Sequence, residues 1–186
     1  MNHRILILSA IVLAVVFSSC KKMFEDEELS MERVDYTGTE LRTDGYYYYR
    51  NRYVFYDGEQ LDQVKTRILY RNGVAISTNI FDYSEMGQVE DNFKNGNFYN
   101  LMKNRKCEWK VYKISNGEIE FEGWTCDCVV GYKHSTYREY GEIINDTTFR
   151  LIKECCNGKV TEYSADVIYH FKQISPKPDS TNSFIK

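Results

Sequence analysis

The chain has 186 residues, with 24 Lys and Arg against 27 Asp and Glu and a formal charge of −3, so no basic excess points to nucleic acid or an anionic lipid surface. With 16 Tyr and 10 Phe but only two Pro, both near the C-terminus, the composition favours strands over helices. The longest apolar run, residues 5–17, falls short of the roughly 20 residues that a membrane-spanning helix needs.

That run still carries information. Residues 1–4 (MNHR) form a short basic start, residues 5–17 (ILILSAIVLAVVF) have the length of a signal-peptide core, and Ser18 and Ser19 place small residues directly before Cys20. The stretch Phe17-Ser18-Ser19-Cys20 resembles the lipobox of bacterial lipoproteins, with Phe17 where that pattern usually has Leu. The resemblance implies a lipoprotein signal peptide over residues 1–19 and lipidation of Cys20. Removing residues 1–19, which carry one Arg and no carboxylate side chain, moves the charge from −3 to −4. Two or more acyl chains of the palmitate kind, at about 0.8 kcal/mol per buried CH₂, make such an anchor stable without a spanning segment.

Residues 20–40 are polar with weak periodicity and read as a flexible tether behind the lipidated cysteine. Its acidic run, Glu25-Asp26-Glu27-Glu28, is similar to the acidic segment of surface-exposed lipoproteins of Bacteroidota. Lys21, in place of Asp after the cysteine, resembles lipoproteins sent on to the outer membrane.

A β domain is expected over residues 41–174. Strand-like runs occupy residues 45–50, 52–56, 67–71, 74–81, 137–144, 147–153 and 161–174. Three Asn-Gly pairs, Asn72-Gly73, Asn116-Gly117 and Asn157-Gly158, sit between such runs and suit two-residue hairpin turns, which need φ > 0 twice. Centring a hairpin on Asn116-Gly117 sets Ile114 opposite Ile119 and Tyr112 opposite Phe121 on one face. Lys113 then meets Glu120, and Trp109 meets Trp124, on the other. Residues 85–103 break the pattern and predict one short helix, or two turns of helix, against the sheet. Residues 175–186 predict an extended tail whose Phe184 and Ile185 dock back. The fold class expected is mostly β: an antiparallel up-and-down barrel or sandwich of about eight strands with one short helix.

The succession GYYYYR, ILYRNGVAI, WKVYKISNGEIEFEGW, YGEIINDTTFRL and VIYHFKQ resembles small lipocalin-like lipoproteins of Bacteroidota, over about residues 41–171. The resemblance implies a barrel behind a lipidated cysteine, and it implies little about activity.

Chemistry is sparse. Cys126 and Cys128 share a strand face, Cys155 and Cys156 precede a turn, and a disulfide between the two clusters is expected in an oxidising envelope. A zinc site from these four with His134 is the sharper alternative, but neither C-x-C nor C-C has the usual ligand spacing, so no metal is expected. No nucleophile elbow, zinc-protease motif or phosphate loop occurs, so neither an enzyme nor a cofactor is expected. The carboxylates Glu120 and Glu122 read as a solvated strand face. In Tyr46-Tyr47-Tyr48-Tyr49, alternate rings point to opposite faces, and an exposed set could bind a ligand, a glycan or a protein. Two functions follow for an envelope lipoprotein on the periplasmic side or the surface. One is a barrel holding a small apolar ligand. The other is a structural or interaction protein presenting an aromatic sheet face to an envelope partner.

Overall fold

The computed structural model describes residues 25–54, 60–80, 86–125 and 134–186. The expected signal peptide and Cys20 lie outside these residues, as do Cys126 and Cys128.

Eight antiparallel strands close into a barrel: β1 (Gly45–Val54), β2 (Gln60–Leu69), β3 (Val74–Ile80), β4 (Trp109–Ser115), β5 (Glu118–Trp124), β6 (Thr136–Asn145), β7 (Thr148–Cys156) and β8 (Lys159–Gln173). Each strand pairs with its neighbour in sequence, and β8 returns to β1 from Gly45↔Gln173 to Tyr48↔His170. This is the up-and-down, lipocalin-like layout expected of the chain. The runs at 45–50 and 52–56 form one strand, because Asn51 stays in the ladder opposite Gln63.

Turn chemistry sets the register. Asn116 and Gly117 have φ of 54° and 78°, Asn157 and Gly158 have 52° and 75°, and both pairs make the two-residue turns that their residue types favour. Around the first, Ile114 meets Ile119, Tyr112 meets Phe121 and Lys113 meets Glu120, as the sequence predicts. Asn72-Gly73 differs. Tyr70 N–H donates to Val74 O at 2.9 Å and Gly73 N–H to Tyr70 O at 3.1 Å, so the loop is the three residues Arg71-Asn72-Gly73, and only Gly73 has positive φ. A three-residue hairpin ending on a left-handed Gly is the next commonest solution after the two-residue turn.

Two apolar layers follow from the strand period of two. Inside the barrel, Tyr47, Leu69, Ala75, Tyr112, Phe121, Phe149, Leu151 and Tyr169 pack together. Outside it, Tyr46, Val64, Ile68, Val74, Ile76, Trp109, Val111 and Trp124 form a second cluster. This outer cluster is covered by α1 (Met86–Lys94), α2 (Asn97–Met102) and the tail, through Phe93, Phe98, Met102 and Ile185. Gly96, with φ of 78°, separates the two helices, and Phe93 meets Phe98 edge to face at 4.6 Å. The docking of Phe184 and Ile185 matches the expectation for the tail.

The segment expected as a flexible tether up to residue 40 is pinned to the barrel from residue 25 onward. Asp26 pairs with Lys106 Nζ at 2.6 Å and accepts from the His134 backbone N–H at 2.8 Å. Trp124 Nε1–H donates to Glu27 O at 2.6 Å, and Glu27 also accepts from Thr136 N–H at 2.9 Å. Further along, the Glu122 carboxylate accepts from Ser30 Oγ at 2.7 Å and from the Met31 backbone N–H. Weak hydrophobic periodicity therefore signals here a strand-less strap held by side-chain hydrogen bonds, which hydropathy alone does not register.

Candidate functional site

The barrel lumen changes character along its length. At the end closed by the Asn116-Gly117 turn it is filled with aromatic and aliphatic side chains, and Phe149 stacks on Tyr169 with centroids 4.9 Å apart and planes 6° from parallel. At the other end the same inward rows turn polar: Lys65 and Arg67 on β2, Ser77 on β3, Lys110 on β4, Tyr137 and Glu139 on β6, Glu154 and Cys156 on β7 and Tyr163 on β8. They line a cavity of about 400 Å³, inside the range of small-molecule sites. The 3₁₀ turn Lys106–Glu108 and Thr125 form part of its rim.

Arg67 is the floor between the two halves. Its guanidinium lies 4.4 Å from the Phe121 centroid and 4.9 Å from that of Tyr169, and Nη2 donates to Glu139 Oε1 at 2.6 Å. Both side chains are nearly free of solvent, at 5% and 8% exposure. Burial alone would push the Glu139 carboxyl up, but Arg67 and Lys110 outweigh it and hold Glu139 below its usual range, so the pair is ionised. Nε and Nη1 of Arg67, and Oε2 of Glu139, have no hydrogen-bond partner among the described residues.

Lys110 is the second buried cation. It is 2% exposed, its Nζ bonds the Tyr137 hydroxyl and sits 4.5 Å from that ring's centroid, and it makes no ion pair among the described residues. Burial pushes its ammonium pKa down, a shift that Glu139 partly opposes. Its partner in the ladder is Gly123, where a Cβ would stand 2.9 Å from Lys110 Cγ and 3.3 Å from Nζ. The missing side chain is what lets the lysine lie along the wall. Tyr163 donates towards Glu139 Oε1 at 3.2 Å and Glu154 Oε2 at 3.3 Å, and burial raises its phenol well above the ordinary value.

The residues singled out from the sequence fall elsewhere. Tyr46 and Tyr47 are fully buried, Tyr46 outside the barrel against Phe93 at 5.3 Å and Tyr47 inside it against Phe149 at 5.1 Å, so the four tyrosines share no exposed face. The alternation was legible, but the helix that covers the outer side was not assigned to it. Tyr48 and Tyr49 remain partly exposed beside Arg50 and His170. Of the cysteines expected to cross-link, Cys155 and Cys156 end β7, with Cys156 on the cavity wall; Cys126 and Cys128 lie outside the described residues, so the disulfide falls there too. Glu122, expected on a solvated strand face, is 2% exposed and anchors the N-terminal strap, with Arg138 Nε at 3.4 Å. Glu120 pairs with Arg138 at 2.7 Å rather than with Lys113 across the hairpin.

Arg67, Lys110 and Glu139 were not recognised from the sequence, although a signal existed. Once Tyr112 is placed inside, the period of two places Lys110 inside as well. Comparison with protein-family models, with curated proteins and with solved structures finds no match for the chain.

Proposed function

We propose that the protein is a lipid-anchored lipoprotein of the cell envelope, held at the outer membrane by Cys20, and that its barrel binds a small polar molecule. The polar half of the lumen carries the binding reading. A folded core gains nothing from burying Arg67, Lys110 and Glu139 around about 400 Å³ of space, since buried charges and unpaired polar groups cost stability. A ligand that meets these groups offsets that cost. The available space is polar, so the ligand class shifts from the apolar molecule suggested by barrel folds in general to one with hydrogen-bonding groups. The alternative, an aromatic face offered to an envelope protein or glycan, is less favoured because Tyr46 and Tyr47 are buried.

The anchor reading rests on the sequence around Cys20. Cys20→Ala should abolish lipid incorporation and detergent partitioning while leaving the barrel folded; labelling that persists in the variant refutes it. Native mass spectrometry of the full chain from its own host tests the binding reading. A small-molecule adduct supports it, and a stoichiometric protein partner with no small molecule supports the alternative.

A further inference from the structure

Resting on the reading of the barrel as a small-molecule carrier, we infer that the ligand is a small organic monoanion whose carboxylate is shared between the Arg67 guanidinium and the Lys110 ammonium.

The argument is one of charge and geometry. Inside the lumen two buried cations, Arg67 and Lys110, face one buried carboxylate, Glu139, so among the described residues the buried part of the site carries one positive charge in excess. Lys65 and Glu154 at the rim balance each other. Glu108, also at the rim, makes no ion pair with Lys110. The guanidinium faces are occupied by Phe121 and Tyr169 and Glu139 occupies Nη2, while the buried Nε and Nη1 have no hydrogen-bond partner among the described residues and remain for another acceptor. A carboxylate is planar and takes hydrogen bonds in that plane, which suits such an edge. Lys110, without an ion pair among the described residues, supplies the second contact. Glu139 sets the upper limit on charge, because a phosphate dianion would be repelled by its fixed carboxylate.

The experiment is native mass spectrometry of the full chain purified from its own host, as wild type, Lys110→Met and Lys110→Arg, with thermal melting in butyrate, benzoate, butyramide and benzamide. The expected result is a wild-type adduct that, once released, ionises as a singly charged carboxylate. It should be lost at least tenfold in Lys110→Met and kept in Lys110→Arg. Butyrate or benzoate should raise the melting temperature of stripped protein more than the matching amide does. Lys110→Met removes a buried ammonium that has no ion pair among the described residues and holds only the Tyr137 hydroxyl and ring, so without ligand it should melt close to wild type; a collapse of the fold would mean that Lys110 is structural, and would overturn the inference. A neutral, cationic or phosphorylated adduct would overturn it too while leaving the carrier reading intact. No adduct, with no shift from any of the four probes, would remove both.

Discussion

The two halves of the barrel lumen are built on the same strands and follow opposite rules. Along β2 the inward row runs Lys65, Arg67, Leu69, and along β4 it runs Lys110, Tyr112; each passes from charge to hydrocarbon within two or three positions. The apolar half packs rings against rings, as where Phe121 meets Phe149 at 6.0 Å and Tyr112 at 6.2 Å, and supplies the transfer and dispersion energy of a core. The polar half holds charged groups that are expensive to bury. One half therefore maintains the fold, and the other is maintained by it.

The sharpest way to break this contrast is to cut one residue from each half. Phe121→Ala should cost roughly 3 to 5 kcal/mol, the usual range for a buried ring, read as a large drop in the urea midpoint. Glu139→Ala should cost roughly 3 kcal/mol or more, because it strands the Arg67 charge in the lumen. The informative companion is the double variant Arg67→Met with Glu139→Leu. If the polar half is a liability to stability, this variant should unfold within about 1 kcal/mol of wild type or above it. A double variant as unstable as Glu139→Ala would show that the ion pair supports the fold itself.

A smaller effect distinguishes the closed end by its response to pH. Lys177 from the tail donates to Leu69 O at 2.7 Å and to Thr43 O, with the Tyr70 centroid at 4.2 Å, and burial pushes its ammonium down to about 8. Between this value and the unfolded 10.5 the unfolded chain holds the extra proton, so this residue's contribution to stability rises with pH across the window and is flat below about pH 8. With the carbonyl contacts favouring the charged form, roughly 1 to 2 kcal/mol is expected. Denaturant titrations at pH 8 and pH 10 should show this gain in wild type and not in Lys177→Met.

The smallest effect belongs to the outer wall. Lys113 is exposed, and Glu120 makes only a partly exposed bond to Arg138 at 2.7 Å, so Lys113→Ala and Glu120→Ala should each cost at most about 1 kcal/mol. Should either rival Phe121→Ala, the inside and outside of the hairpin would be exchanged.

What was legible in the sequence was the local grammar. Asn116-Gly117 specified both a turn and a register, and the alternation of Tyr46 to Tyr49 between two faces was correct. Partners distant along the chain were not legible. Whether the outer rings met solvent depended on Phe93 arriving from a helix more than forty residues away, and whether residues 25–31 were free depended on Lys106, Glu122 and His134. Polar latches of this kind have no periodicity. The cavity was not legible for a related reason: a charged residue on a strand reads as a marker of the solvent side, whereas in a barrel the inward row can be polar wherever the lumen is not filled.

The closure of the barrel has a consequence for the order of assembly. Seven of the strand pairings join neighbours in sequence, with far fewer residues between them than the eighth, and can form early at lower cost in loop entropy. The eighth joins the two ends of the domain over four residue pairs, from Gly45↔Gln173 to Tyr48↔His170, half the eight that join β1 to β2. Because it closes the longest loop of the eight, that seam is expected to form last, after the meander is complete. While it is open, β1 and β8 each present an unpaired edge able to pair with another chain, so closure of the barrel also removes a route to aggregation during folding.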